Sequence, residues 1–238
     1  LSAATGIVFQ QWEFMKNKTL GINKEMLVSI PMQTMERTKL ASFKEELFAN
    51  VSIRKVGASN MKMPGWISNS TPYKAQDVES DEEALKTMKI IRIDFDFFPA
   101  TEVEFANGRN FSPEFPSDSS SAIILNESAV AQLEWKDPLG KWMELNGQKY
   151  NVVGIVRDFH FESLHRKIPP TIFIPSSDWL HWLYVRIDSQ NLPATLQHIQ
   201  KKYSTFVTNR DFSFSFLNDD IEQQYLTEKK FTQTYTLF

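Results

Sequence analysis

Asp158, His160, Glu162 and His165 fall close together in the run Asp-Phe-His-Phe-Glu-Ser-Leu-His. On a strand, positions 158, 160 and 162 would share one face and present three oxygen or nitrogen ligands, the chemistry of a bound divalent metal or a metal-assisted hydrolase. Phe159, Phe161 and Leu164 take the other face, so a solvated strand edge accounts for the same polar positions. The H-E-x-x-H spacing of a zinc protease is absent. Ser117 to Ser121 supplies hydroxyls, but no G-x-S-x-G elbow or serine–base pairing accompanies them, and the turn composition around Pro116 and Asp118 reads as a loop. Neither glycine-rich phosphate loop occurs, so the chain has no P-loop ATPase site of its own. The acidic run from Asp77 to Glu83 reads as a solvated helix start, and Phe95-Asp-Phe-Phe98 as core. No catalytic, metal-binding or cofactor-binding residue is assigned, and no cofactor is expected.

The bulk properties narrow the class further. With 238 residues, 42% of them apolar and 19 of them Phe, the chain can bury a sizeable core and is not disordered. Its 26 basic and 29 acidic residues leave no cationic surplus, which excludes nucleic acid as the main partner. Cysteine is absent, which removes disulfides, cysteine-ligated zinc and thiol nucleophiles, and suits an extracytoplasmic compartment. No apolar run approaches the ~18 residues of a membrane span. The first residue is not Met and no basic signal-peptide start precedes Ile7-Val-Phe9, so the chain is read as a piece of a longer protein.

The elements that would hold these residues form two groups. Residues 1–24 are read as a stalk leaving a membrane: apolar residues, then Trp12 and Phe14, then Lys16 and Lys18, the order of an aromatic belt followed by charge. An amphipathic helix packed on the domain would show the same order. Glu25 to Ile30 reads as a strand, Thr34 to Asn50 as a helix and Val51 to Val56 as a second strand. The order recurs with a strand at Trp182 to Ile187, a helix at Leu192 to Tyr203 and an alternating strand at Phe212 to Phe216. Two such β-α-β units would combine into a discontinuous, ferredoxin-like lobe of residues 25–62 and 178–217, in a fold of the α+β class. Residues 63–177 would be an inserted β-rich lobe with short strands at Ile90, Ala122, Trp142, Lys149 and Thr171, a hairpin at Asn146-Gly147 and a helix capped by Asn126. It opens with a polar stretch, 66–80. There Trp66 and Tyr73 are the expected partner-contact loop of a module that recruits a partner without moving cargo. Residues 218–238 are read as a helix leading back to the membrane.

An ordered series of motifs runs through the second half of the insertion: Gly108-Arg-Asn-Phe-Ser112, Ile124-Leu-Asn-Glu-Ser-Ala-Val-Ala-Gln-Leu133, Asp137-Pro-Leu-Gly-Lys141, Val152-Val-Gly-Ile-Val-Arg-Asp-Phe-His-Phe161, Ser163-Leu-His165 and Ile168-Pro169. With Gln10-Gln-Trp-Glu-Phe14 and Leu20-Gly-Ile-Asn-Lys24, the chain resembles the extracytoplasmic (periplasmic) core domain of ABC transporter permeases of the MacB/FtsX type. The resemblance implies a porter-like α/β lobe, a β-rich inserted lobe, and a role for the 158–165 stretch in forming the fold. It also implies a parent permease in the inner cell membrane, working as a dimer with an ABC ATPase subunit or domain and with a periplasmic adaptor or substrate. In that setting the domain would couple ATP-driven motion of the membrane helices to export, to substrate handling or to a periplasmic partner. Trp12, Phe14, Lys16 and Lys18 would be its membrane-proximal contacts.

Overall fold

The structure, a computed structural model, describes residues 25–32, 37–63, 65, 67–78, 86–159, 167–208, 210–220 and 223. Trp12, Phe14, Lys16, Lys18 and Trp66 lie outside the described residues, as do His160, Glu162, His165 and most of the acidic run, from Glu79 to Glu83.

Strand β1 (Glu25–Pro31), helix α1 (Leu40–Phe48) and strand β2 (Ile53–Ser59) open the fold. Strand β10 (Trp182–Asp188), helix α5 (Leu192–Phe206) and strand β11 (Ser215–Phe216) close it. These four strands line up as β11-β1-β10-β2, each antiparallel to its neighbour. Their odd and even residues serve different cores. Val28, Ile30, Val56, Val185 and Ile187 pack under α1 and α5, together with Phe43, Leu47, Leu196, Ile199 and Tyr203. Leu27 and Tyr184 point to the other face, into a second core shared with residues 63–173. A strand packed on both faces reads as a continuous apolar run, which explains Leu-Tyr-Val-Arg-Ile in β10.

The middle of the chain supplies β3 (Ser70–Ala75), β4 (Thr87–Ile93), α2 (Phe97–Thr101), β5 (Phe105–Gly108), α3 (Asp118–Ser121), β6 (Ala122–Asn126), α4 (Glu127–Leu133), β7 (Trp142–Leu145), β8 (Gln148–Val156) and β9 (Thr171–Pro175). The order β4-β3-β7-β8-β6-β9 returns to β4 through a parallel β4–β9 pairing, so six strands form a closed ring. Closure gives each of the six strands a partner on both sides, although the two halves of β3 pair separately, Ser70–Pro72 with β4 and Tyr73–Ala75 with β7. Tyr73, Met88, Ile123, Leu125, Met143, Leu145, Val152 and Ile172 form one core with Ala129 and Leu133 of α4. Ile91, Ile93, Ala122, Ile124, Val156 and Phe173 join Phe97 and Phe98 of α2 in the core that also holds Leu27 and Tyr184.

Several boundaries differ from the sequence reading, each for a local reason. The described part of the first helix is α1, preceded by a 3-10 turn at Arg37–Lys39. β2 starts at Ile53 because Asn50, Val51 and Ser52 make the turn: Asn50 N–H donates to Leu47, Ile53 N–H to Asn50, and the Asn50 side chain accepts from Ser52 N–H. The expected strand from Phe212 is paired only at Ser215 and Phe216. Asn126 caps α4 as expected, accepting from Ala129 N–H at 3.0 Å. The serine run, expected as a loop, forms α3.

Candidate functional site

Asp158 is the described member of the acid–histidine cluster, and its carboxylate serves a helix start. Its two oxygens accept from the Ser128 N–H (3.1 Å) and the Ser128 hydroxyl (2.5 Å), while its own N–H donates to Glu127 (3.0 Å). A carboxylate at the first turn of α4 meets both free N–H groups and the positive end of the dipole. Among the described residues, no group of three or more acidic or histidine side chains could hold a metal.

Tyr73 is not in a loop. It lies on β3 opposite Leu145, its ring buried and its hydroxyl accepting from Gln132 Nε2 at 3.0 Å. The reason is visible in the residues: Thr71, Tyr73 and Ala75 alternate inward while Ser70, Pro72 and Lys74 face out. Pro72 is tolerated because that half of β3 pairs with β4 alone, leaving its other side without a ladder. Period-two alternation was the available signal, and the Ser/Thr/Pro composition hid it.

Sequence reading missed the polar contacts that join the two groups of elements. Lys44 on α1 reaches across to Asp94 (2.9 Å) and Asp96, just beyond β4. Burial alone would lower the Lys44 ammonium, but the Asp94 and Asp96 carboxylates hold it above its usual value. Arg186 of β10, 8% exposed, donates from Nε to the Ala100 carbonyl at the end of α2 (2.9 Å), and Glu102 lies 3.6 Å from its guanidinium. The buried Tyr184 hydroxyl donates to the Met61 carbonyl (2.7 Å) and accepts from Met63 N–H (2.8 Å). Lys62 bonds Asp220 (2.9 Å), whose other oxygen takes the Ser215 hydroxyl (2.6 Å). Apart from Ser215 and Asp220, none of these partners is near its mate in sequence.

The Gly108-Arg-Asn-Phe-Ser112 motif is a lock within the middle group. Arg109 grips Asp118 with two nitrogens (2.5 and 3.0 Å) and stacks on Phe115 at 3.8 Å, while Asp118 also accepts from Ser112 N–H. The Arg109 and Ser112 bonds outweigh burial and hold the Asp118 carboxyl below the usual carboxylate range. Gly108 has φ +73°, and a Cβ there would lie 2.4 Å from the Val153 carbonyl. At Gly154 a Cβ would lie 2.2 Å from the Arg109 carbonyl. Both glycines are required by close backbone approach.

Three of the exposed large apolar side chains lie at the ends of the four-stranded sheet, while Phe115 and Leu139 lie in the middle group, Phe115 beneath Arg109. Trp179 is 73% exposed with φ +59°, in the turn between β9 and β10, against the His181 ring. Phe48 and Val51 flank the α1–β2 turn at the other end of the sheet. Among the described residues, no helix is long and apolar enough to cross a membrane.

This arrangement, a four-stranded sheet from the two halves of the chain joined to a closed six-stranded ring, is the fold of domains that ABC-type transporters carry outside the membrane. The periplasmic region of MacB from Actinobacillus actinomycetemcomitans matches it with a TM-score of 0.59 and 16% identity, over 84% of this chain and 92% of that one. The extracellular domain of the noncanonic ABC-type transporter YknZ from Gram-positive bacteria matches with a TM-score of 0.54 and 14% identity, over 81% and 98%. No curated protein matches the sequence. Residues 14–202 match the family model of the MacB-like periplasmic core domain, and the chain belongs to that family. The family is one of permease periplasmic domains and not a catalytic one.

Proposed function

We propose that the chain is the extracytoplasmic part of a permease in the inner cell membrane that works as a dimer with an ABC ATPase subunit or domain. It couples ATP-driven motion of the membrane helices to export or handling of a substrate, or to a periplasmic adaptor. The observation that carries this reading is the family match over residues 14–202. The order β11-β1-β10-β2, with α1 and α5 packed together on one face, supports a ferredoxin-like, porter-like lobe of residues 25–62 and 178–217. Residues 63–177 are then the inserted lobe, 1–24 the stalk and 218–238 the return to the membrane. Trp12, Phe14, Lys16 and Lys18 belong to the membrane-proximal stalk in this reading.

The exposed Asn146-Gly147 turn accepts an inserted epitope without touching a core. In cells making the parent protein, protease added to spheroplasts removes that epitope, and crosslinking of the parent captures an ATPase. An epitope shielded until the membrane is breached overturns the reading. A partner-recruiting module without cargo is favoured by one observation, the outward Trp179. A photocrosslinker at 179 that captures one fixed protein and never a transported molecule selects that alternative.

A further inference from the structure

We propose that the α1–β2 turn, through Phe48 and Val51, seats on the bilayer surface and makes a second, non-covalent attachment beside the stalk. The inference rests on the membrane-tethered reading above. Glu25 opens β1 opposite Asp188, and the Asp188 N–H donates to the Ser52 carbonyl at 2.8 Å. The α1–β2 turn is therefore level with the point where residues 1–24 join the sheet. β11 runs antiparallel to β1, with Ser215 opposite Ser29 and Phe216 opposite Val28. The last strand thus heads toward this same end. Val51 is 86% exposed and Phe48 47%, two large apolar side chains on one short turn. If Lys18 marks the headgroup level, the seven peptide units to Glu25 span at most about 25 Å in any conformation.

Charge points to a contact by apolar insertion. Arg54 is paired with Asp188 (2.5 Å) and Lys202 with Glu46, and the exposed Lys55 and Glu45 offset each other. Among the described residues of this turn the charges balance, so the seating of the turn itself is insensitive to salt and to headgroup charge. A turn carrying one Phe and one Val binds weakly alone. Held beside the bilayer by the stalk, it acts at the high effective concentration of a short tether.

The absence of cysteine allows a single introduced thiol to carry an environment-sensitive fluorophore. The chain bearing Val51→Cys or Trp179→Cys, each labelled, is anchored through an N-terminal histidine tag to phosphatidylcholine vesicles containing a nickel-chelating lipid. The expected result is a blue shift and quenching by spin-labelled lipid at 51 and not at 179, equal at low and high salt. Phe48→Ser in the labelled Val51→Cys chain lowers the ratio of seated to unseated chain roughly tenfold, the factor for losing about half of one buried Phe's transfer energy. No response at 51, an equal response at both positions, or a response abolished by salt overturns the proposal. The tag supplies the tether, so such a failure leaves the parent-permease reading standing, and that reading fails separately in the spheroplast experiment.

Discussion

Replacing Tyr184 by Phe removes one oxygen from the junction of the two cores and tests whether that oxygen holds the chain crossing. The hydroxyl bonds the Met61 carbonyl and the Met63 amide, and these two do not suffer equally. The Met61 carbonyl also accepts from the Ser59 hydroxyl at 2.6 Å, so it keeps a donor in the variant. Met63 N–H has its 2.8 Å bond to Tyr184 as its hydrogen bond and sits beside a buried side chain. One buried amide is left unsatisfied, at a cost of about 1–3 kcal/mol. A loss of about 2 kcal/mol lowers Tm by roughly 4–8 °C in a domain of this size. Urea unfolding followed by Trp fluorescence gives the free energy, and hydrogen exchange at the Met63 amide gives the place. Tyr203→Phe is the control. Its buried hydroxyl makes a longer bond, 3.1 Å, to the carbonyl of half-buried Pro31, which loses a donor rather than leaving an orphaned N–H, and about 1 kcal/mol is expected. A loss below about 0.5 kcal/mol for Tyr184→Phe, or unchanged protection at Met63, would refute the reasoning, because an orphaned buried amide cannot be that cheap.

Gly154→Ala drives a Cβ into the Arg109 carbonyl and is expected to cost about 3 kcal/mol or more. Gly140→Ala meets no atom within 4 Å and bears only the left-handed strain of φ +79°, about 1–2 kcal/mol, so chemical denaturation should separate the two. Asn126→Ala removes the acceptor of both Ala129 N–H (3.0 Å) and Thr171 N–H (2.8 Å), and a loss of about 3 kcal/mol should appear as a lowered urea midpoint. Asp118 has a depressed folded-state pKa, so its contribution is complete above the unfolded value near ~3.9 and fades as pH falls through the folded one. Asp118→Asn should therefore be less stable at neutral pH, by about 1–2 kcal/mol because Arg109 stays partly in water, and the gap to the parent should narrow as acid is added below about pH 4.

The elements legible in the sequence were those whose apolar period matched their surroundings. Leu196, Ile199 and Tyr203 on α5, and the alternation of β7 and β8 around Asn146-Gly147, lie where the pattern put them. β3 was not legible because Ser, Thr and Pro imitate a loop, although Tyr73 and Ala75 keep a period of two. α2 was not legible because five residues rich in Phe carry no helical stripe; its fold is imposed by the cores on either side. The joining contacts were the least legible. Lys44 and Asp94, or Arg186 and Ala100, are brought together only by topology, and no local spacing encodes them.

The position of β10 governs the order in which the molecule can form. It lies between β1 and β2, yet it is made only after the entire six-stranded ring has been synthesised. β1 and β2, side by side in sequence, share no ladder with each other. Until Trp182 to Asp188 arrives, both must wait with apolar faces bare, while the ring made between β2 and β10 already contains every strand it needs. The ring is therefore the part able to fold first, and the sheet made from the two ends of the chain is the slow, long-range step. A chain cut between β9 and β10 would retain a foldable middle, with β1 and all but the end of β2 left without a ladder partner, the form most prone to aggregate.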